Sequence, residues 1–167
     1  MDMKVIDGFG DPDANSFYDE LNSSGDRAAA IVAGAVLEDQ LRILLSSFCR
    51  EDLSNKYKKK IFEGAAAPFG AASGRTLASY CFDLIDLLTY QNLSKIQSIR
   101  NKFAHGKPGT SFSELIIKKK VMDLKPPIKL EEELGRDPRS RFVYTVVIYF
   151  STLRLKIAEK FNLPRDR

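Results

Sequence analysis

One histidine occurs in 167 residues, in the last turn of a helix-like stretch that runs from Asn92 to His105 and ends Arg100-Asn-Lys-Phe-Ala-His105. Its imidazole offers proton transfer near neutral pH. A zinc site or a nucleophile triad needs further partners at suitable spacing, and the sequence shows none. Leu93, Ile96, Ile99 and Phe103 recur at three- and four-residue steps, which predicts a helix with one apolar stripe. Gly106 and Pro108 end it. On a wheel of about 100° per residue, Asn101 and His105 lie one turn apart and face away from the stripe. Arg100 sits at the stripe's edge, about 140° from His105. A single helix therefore cannot close Arg100 and His105 into a compact pair, and a second copy or another element has to supply the convergence. A plainer role stands beside this one. A protonated histidine is favoured at the carbonyl end of a helix dipole, and an arginine at a stripe edge buries its stem and keeps its head in water.

The elements that would position these residues are helices. Asp13 is placed to cap a short helix through Phe17, Tyr18 and Leu21, ended by Ser23-Ser24-Gly25. Asp26 opens the longest one, about 26 to 49, with Ala28, Ile31, Ala35, Leu41, Leu45 and Phe48 among its apolar positions. It is apolar on nearly every face at first, so it belongs at the centre, and Ala33, Gly34 and Ala35 let neighbouring backbones approach. A shorter helix over 51–63 carries Lys56, Lys58, Lys59 and Lys60, a solvated face by the plain reading and a nucleic-acid patch by the sharper one. The connector Gly64 to Gly70 lacks the Gly-Lys-Ser/Thr ending of a phosphate loop. Helix resumes over 71–88 with Leu77, Tyr80, Cys81, Leu84, Ile85 and Leu88 as core stripe, and Thr89 to Asn92 turns the chain. Residues 113–122 fit helix or strand. Lys125 to Pro138 reads as a surface loop with one helical turn around Glu131 to Leu134. Asp137-Pro138 opens a final helix to about Asn162. Its run Val143 to Tyr149 is β-branched enough for a strand, but length and capping favour helix. The expected architecture is an all-α, single-domain bundle of about six to seven helices over 12–163, with a loose arm at 1–11 and a frayed tail at 164–167.

Composition narrows the function classes. Hydrophobic residues at 44% and charged residues at 29% are ordinary for a soluble globular domain with a buried core. The net charge of +4 permits an anionic partner without requiring one. Cys49 and Cys81 lack CxxC spacing, so reduced, buried thiols in a cytoplasmic protein are expected. The first residues lack the order of a signal peptide, and the late apolar run Phe142 to Phe150 is too short to span a bilayer.

Four blocks in order, Asp26-Arg-Ala-Ala-Ala-Ile-Val-Ala-Gly-Ala-Val-Leu-Glu-Asp-Gln-Leu41, Pro68-Phe-Gly-Ala-Ala-Ser73, Ile99-Arg-Asn-Lys-Phe-Ala-His105 and Asp137-Pro-Arg-Ser-Arg-Phe142, resemble the mannitol operon repressor family over roughly 20–160. That family resembles in turn the wider HEPN group of helical domains. The resemblance implies an all-helical bundle and a regulator of transcription that acts through protein partners, without the helix-turn-helix of a DNA reader. This sequence likewise carries no zinc finger, basic recognition helix or Arg-rich arm, so no direct sequence-specific DNA binding is expected. The HEPN resemblance implies an alternative, metal-independent RNA cleavage at a site formed by two such helices across a homodimer axis. His105 would then be general acid or base, Arg100 would hold the scissile phosphate and Asn101 would orient one or the other. Glu38 stands at the family's acidic position on the long helix, where it would steer a basic partner or serve as an ordinary surface carboxylate. No cofactor and no metal are implied. Inactive copies that keep the fold as a binding module also occur in the group.

Overall fold

The computed structural model describes residues 11–127 and 136–162. Those residues form seven helices and no strand: α1 (Pro12–Ser23), α2 (Asp26–Ser47), α3 (Asn55–Phe62), α4 (Ala72–Cys81), α5 (Leu87–His105), α6 (Leu115–Met122) and α7 (Pro138–Asn162). The all-α bundle is as the sequence predicts. Helices α2 and α7 pack side by side at the centre. Helix α1 lies on both, α4 and α5 cover α2, and α6 bridges α5 and α7. Every residue from Phe142 to Phe150 is buried, so the β-branched run is a helix enclosed on all sides. The predicted stripe of α5 is buried as well, at Leu93, Ile96, Ile99 and Phe103, each side chain contributing about 1.5–3 kcal/mol. Rings of Phe103, Phe112 and Phe142, with centroids 4.7 and 4.9 Å apart, carry the core from α5 through the 106–114 connection into α7.

Helix ends leave carbonyls without partners, and this chain meets that need with arginines. It leaves α1, α3 and α5 through extended residues, Ser24, Glu63 and Gly106, so no left-handed cap closes those ends. Arg139, in the first turn of α7, donates from Nη2 to Leu21 O at 3.0 Å and to Ser24 O, while its Nη1 pairs with Asp26. Arg27 donates to Phe103 O at 2.8 Å and to Gly106 O at the end of α5. Arg75 on α4 donates to Phe62 O at 3.1 Å, ending α3, and to Phe69 O at 2.7 Å in the connector beyond it. Arg141 reaches Val121 O at 3.2 Å and Leu124 O beyond α6. Each cation sits at the negative end of a helix dipole and fastens that helix to a neighbour. Asp26 completes one such joint by accepting from the Phe112 backbone N–H at 2.9 Å.

A second joint is built from neutral groups. The Asn92 amide donates to Leu88 O at 2.8 Å and accepts from the Lys125 N–H at 2.7 Å. The Tyr149 hydroxyl donates to Lys125 O at 3.1 Å, and burial first, then the Asp86 carboxylate, pushes its pKa up to about 12. Tyr149 therefore remains a neutral donor across the physiological range.

Several boundaries differ from the sequence reading. The N-cap of α1 is Asp11, whose carboxylate accepts from the Asp13 N–H at 3.0 Å, because Pro12 takes the first helical position. Helix α3 starts at Asn55, after a turn in which Arg50 pairs with Asp52. Helix α4 stops at Cys81, and the chain turns over 82–86 rather than 89–92. There Asp83 adopts φ of 57°, and Asp86 caps α5 by accepting from the Thr89 N–H at 2.7 Å. Leu77, Tyr80 and Leu88, expected in the core, are exposed, as is the Cys81 thiol. On α2 the buried line is Ala29, Ala30, Ala33, Leu37, Leu41, Leu44 and Leu45; Phe48 and the adjoining Ala28 and Ala35 face out. Of residues 113–122, which fit helix or strand, Leu115–Met122 is helix α6 and Glu114 is its N-cap. The expected arm up to residue 10, the helical turn at 131–134 and the frayed tail lie outside the described residues.

Two stability predictions follow from these joints. Replacing Arg139 with Met strips the α1 carbonyls and leaves Asp26 without its cation, and should cost about 2–3 kcal/mol in urea unfolding. Asp86→Ala should cost about 1 kcal/mol near neutral pH. The Thr89 bonds hold the Asp86 carboxyl below the usual carboxylate range. Its contribution is therefore complete above the unfolded value of about 4 and is lost as pH falls through the folded value. Unfolding of the two proteins at a series of pH values should show the gap closing only below about pH 4.

Candidate functional site

Helix α5 runs antiparallel to α2: Arg27 meets the end of α5, and seven residues later Gly34 meets Arg100. At Gly34 a side chain of α5 approaches closely, since a Cβ built there would stand 2.6 Å from Arg100 Cγ. The Arg100 stem is thus laid across α2 and its side chain is half-buried. Its Nη1 donates to Asn101 Oδ1 at 3.1 Å, and its Nε is buried without a partner. No carboxylate ties it down among the described residues.

The opposite, outward side of α5 is the floor of an open groove of about 800 Å³. Helix α4 forms one wall, antiparallel to α5 through the Gln97–Thr76 bond at 2.6 Å and the Tyr80–Tyr90 stack. Helix α6 forms the other, held by Lys120 on Ser98 at 2.9 Å and by Lys95 on Asp123. Ser94, Ser98, Asn101 and His105 follow one another along the floor at three- and four-residue steps, and Lys102 and Lys107 flank the His105 end. From Tyr90 to His105 the floor is about 22 Å long.

The predicted site residues are thereby only partly assembled. Asn101 and His105 are exposed and share the groove. Arg100 does not line it. Glu38 is half-exposed on α2, where its backbone carbonyl accepts from Arg75 at 3.5 Å. Glu38 has no side-chain bond to Arg100 or His105. One chain by itself places a proton-transfer group in an open groove with its guanidinium neighbour directed elsewhere. No cluster of three or more metal-ligating side chains occurs among the described residues. The groove's polar floor was legible as the face opposite the apolar stripe. Its walls were not, because they depend on how α4 and α6 dock.

Gly106 ends α5 with φ of −72°, so its role is space rather than a left-handed turn. A Cβ there would meet Thr110 Oγ1 at 2.6 Å and Lys102 O at 2.7 Å. The close return of the chain keeps His105 at the groove's mouth.

No family model matches the chain, and no curated protein matches it in sequence. A chain in the X-ray structure of the MtlR–HPr complex from Escherichia coli superposes with a TM-score of 0.63 at 20% identity, over 87% of this chain and 98% of that one. The likeness is one of fold. The bundle is MtlR-like along almost its whole length. No helix among the described residues is long and apolar enough to cross a membrane.

The four blocks that carry the resemblance take on a structural meaning here. Asp26, Arg27, Arg139 and Arg141 belong to the helix-end joints, Phe69 and Gly70 supply carbonyls to Arg75, and Gly34 receives Arg100.

The Gly34 contact generates a sign test. Gly34→Ala gains about 1 kcal/mol of helix propensity but overpacks the Arg100 stem at a typical cost of 1–3 kcal/mol. The single variant should be destabilised by roughly 1 kcal/mol. In an Arg100→Ala background the Cγ and Cδ contacts are gone and Arg100 Cβ at 3.2 Å remains, so the same change should cost less, as read by a double-mutant cycle in urea.

Proposed function

We propose that the protein is a cytoplasmic regulator of transcription that works by binding a protein partner, with no direct contact to DNA. The observation that carries this reading is the fold match, over nearly its entire length, to a chain found in a complex with HPr. The lysines of α3 fit it: Lys56, Lys59 and Lys60 project into solvent from an eight-residue helix, and Lys60 lies over the Tyr57 ring at 5.9 Å. They form a solvated face rather than a recognition helix. HPr is the partner to test first. Titration of the chain with HPr in a calorimeter should give saturable binding with a dissociation constant on the order of micromolar, as for transient signalling pairs. Absence of binding in the calorimeter and in amide NMR spectra would rule out HPr, the partner that the fold match supports.

The exposed pair Asn101 and His105 favours a second reading, a metal-independent ribonuclease completed by a homodimer whose α5 helices pair. That reading needs Arg100 of one copy to meet His105 of the other, since within one chain they do not share the groove. Single-stranded RNA should remain intact with both the parent chain and His105→Ala. Cleavage by the parent that His105→Ala abolishes, with a dimer in sedimentation, would replace the first reading by the second.

A further inference from the structure

Five of the twelve large apolar side chains exposed among the described residues fall within one twelve-residue stretch, where α4 turns into α5. Leu77, Tyr80, Phe82, Leu87 and Leu88 are between 37% and 61% exposed. A patch of this density on a small domain marks an interaction site more often than a scatter of single residues does. Tyr and Phe are also the side chains that anchor protein interfaces, together with Trp and Arg.

The corner that presents them is fixed in shape. The Ser79 carbonyl accepts from the Leu84 and Ile85 N–H groups at 2.9 and 3.3 Å, and Leu84 and Ile85 are buried beneath the turn. Asp83 holds φ of 57°, Asp86 caps α5, Tyr80 stacks on Tyr90 at 5.2 Å, and Phe82 stands edge-on to Phe69. A partner meeting this surface loses little to ordering it.

Charge says what kind of partner fits. The chain is basic overall, with net charge +4, yet no Lys or Arg occurs from Thr76 to Ser94. The charged groups in that stretch are the carboxylates of Asp83 and Asp86, both exposed, and Lys156 on α7 is the cation close enough to act on Asp86. A second copy meeting the corner face to face would set these carboxylates against their own equivalents, an arrangement that opposes association.

We propose that the α4–α5 corner is a docking surface for a protein partner whose apolar patch is edged by Lys or Arg. This rests on the reading that the protein acts through a protein partner, and adds which surface it uses and what chemistry it accepts. Asp83 and Asp86 orient the partner, and Tyr80, Phe82 and Leu87 supply the contact area.

The direct probe is a synthetic helical peptide with leucines along one face and arginines flanking them, compared with a twin carrying glutamates in place of the arginines. The arginine peptide should bind roughly tenfold more tightly than its twin and shift amide resonances within 77–90. Phe82→Ser with Leu87→Ser should weaken it at least about tenfold. Asp83→Asn, which tolerates the positive φ, should weaken it roughly two- to fourfold. This milder variant decides the matter if the double variant does not fold. Equal binding of the two peptides, shifts centred elsewhere, or variants that bind like the parent would overturn the proposal. HPr separates the two levels. If it binds the parent and the double variant equally, the corner is wrong and the partner reading stands. If it binds neither while the arginine peptide still maps to 77–90, the corner stands and HPr as partner fails. A parent dimer that the double variant converts to monomer would assign the corner to a second copy and overturn the proposal.

Discussion

The bond on which the rest of the bundle depends is the one between a guanidinium and the carbonyls at a helix end. Four arginines make it, each joining the end of one helix to a different segment: Arg139 at α1, Arg75 at α3, Arg27 at α5 and Arg141 at α6. A planar fork of donors can meet two or three diverging carbonyls at once, which an ammonium cannot do with the same geometry. Lysines are numerous in this chain, yet at these four ends they enter once among the described residues, where Lys95 donates to Asp123 O at 2.8 Å beside Arg141. Hydrophobic burial drives the helices together, yet apolar contact alone leaves their axial positions loosely set. The arginine bonds set them.

What these joints fix also decides what is left open. Anchoring α4 through Arg75 and α6 through Arg141 holds the two helices on either side of α5, so the outward face of α5 remains a trough instead of closing over. The same anchoring leaves the α4–α5 turn projecting at the edge with its apolar side chains outward. Arg100 differs from the other four. It meets no carbonyl; its stem fills the space beside Gly34 and its head turns to Asn101. Packing against Gly34 and the bond to Asn101 place Arg100, and of the expected catalytic set Asn101 and His105 share the groove within a single chain.

Helix existence was legible throughout, and most clearly where periodicity and caps agreed. The α5 stripe, the enclosed α7 helix and the Asp137 cap, whose carboxylate accepts from the Ser140 N–H at 2.7 Å, were all readable. The α4–α5 boundary was not, because Leu84, Ile85 and Leu88 continue the helical spacing of Leu77 and Cys81 through the turn. The turn is set by two aspartates, one in a left-handed conformation and one as a cap. Periodicity also assigned Leu77 and Tyr80 to a core they do not enter. Local pattern and tertiary placement disagree at that corner, as they tend to where a surface is kept for a partner. Arg27, Arg139 and Arg141 were visible only as members of the blocks that carry the resemblance, and Arg75 not at all, since long-range bonds to backbone carbonyls leave no periodic trace in a sequence.

The claim that arginine–carbonyl bonds hold the bundle in register is open to direct measurement through the guanidinium Nε–H groups. Arg27, Arg75 and Arg141 donate through Nε to backbone carbonyls, at 2.8, 2.7 and 3.2 Å, whereas the Nε of Arg50 donates to the exposed carboxylate of Asp52. Nitrogen-detected NMR of the intact protein should show the Nε–H resonances of Arg27, Arg75 and Arg141 with slowed solvent exchange and restricted motion, apart from the averaged signal of exposed Arg50. A single averaged arginine signal, with all Nε–H groups exchanging at the rate of free arginine, would contradict the account.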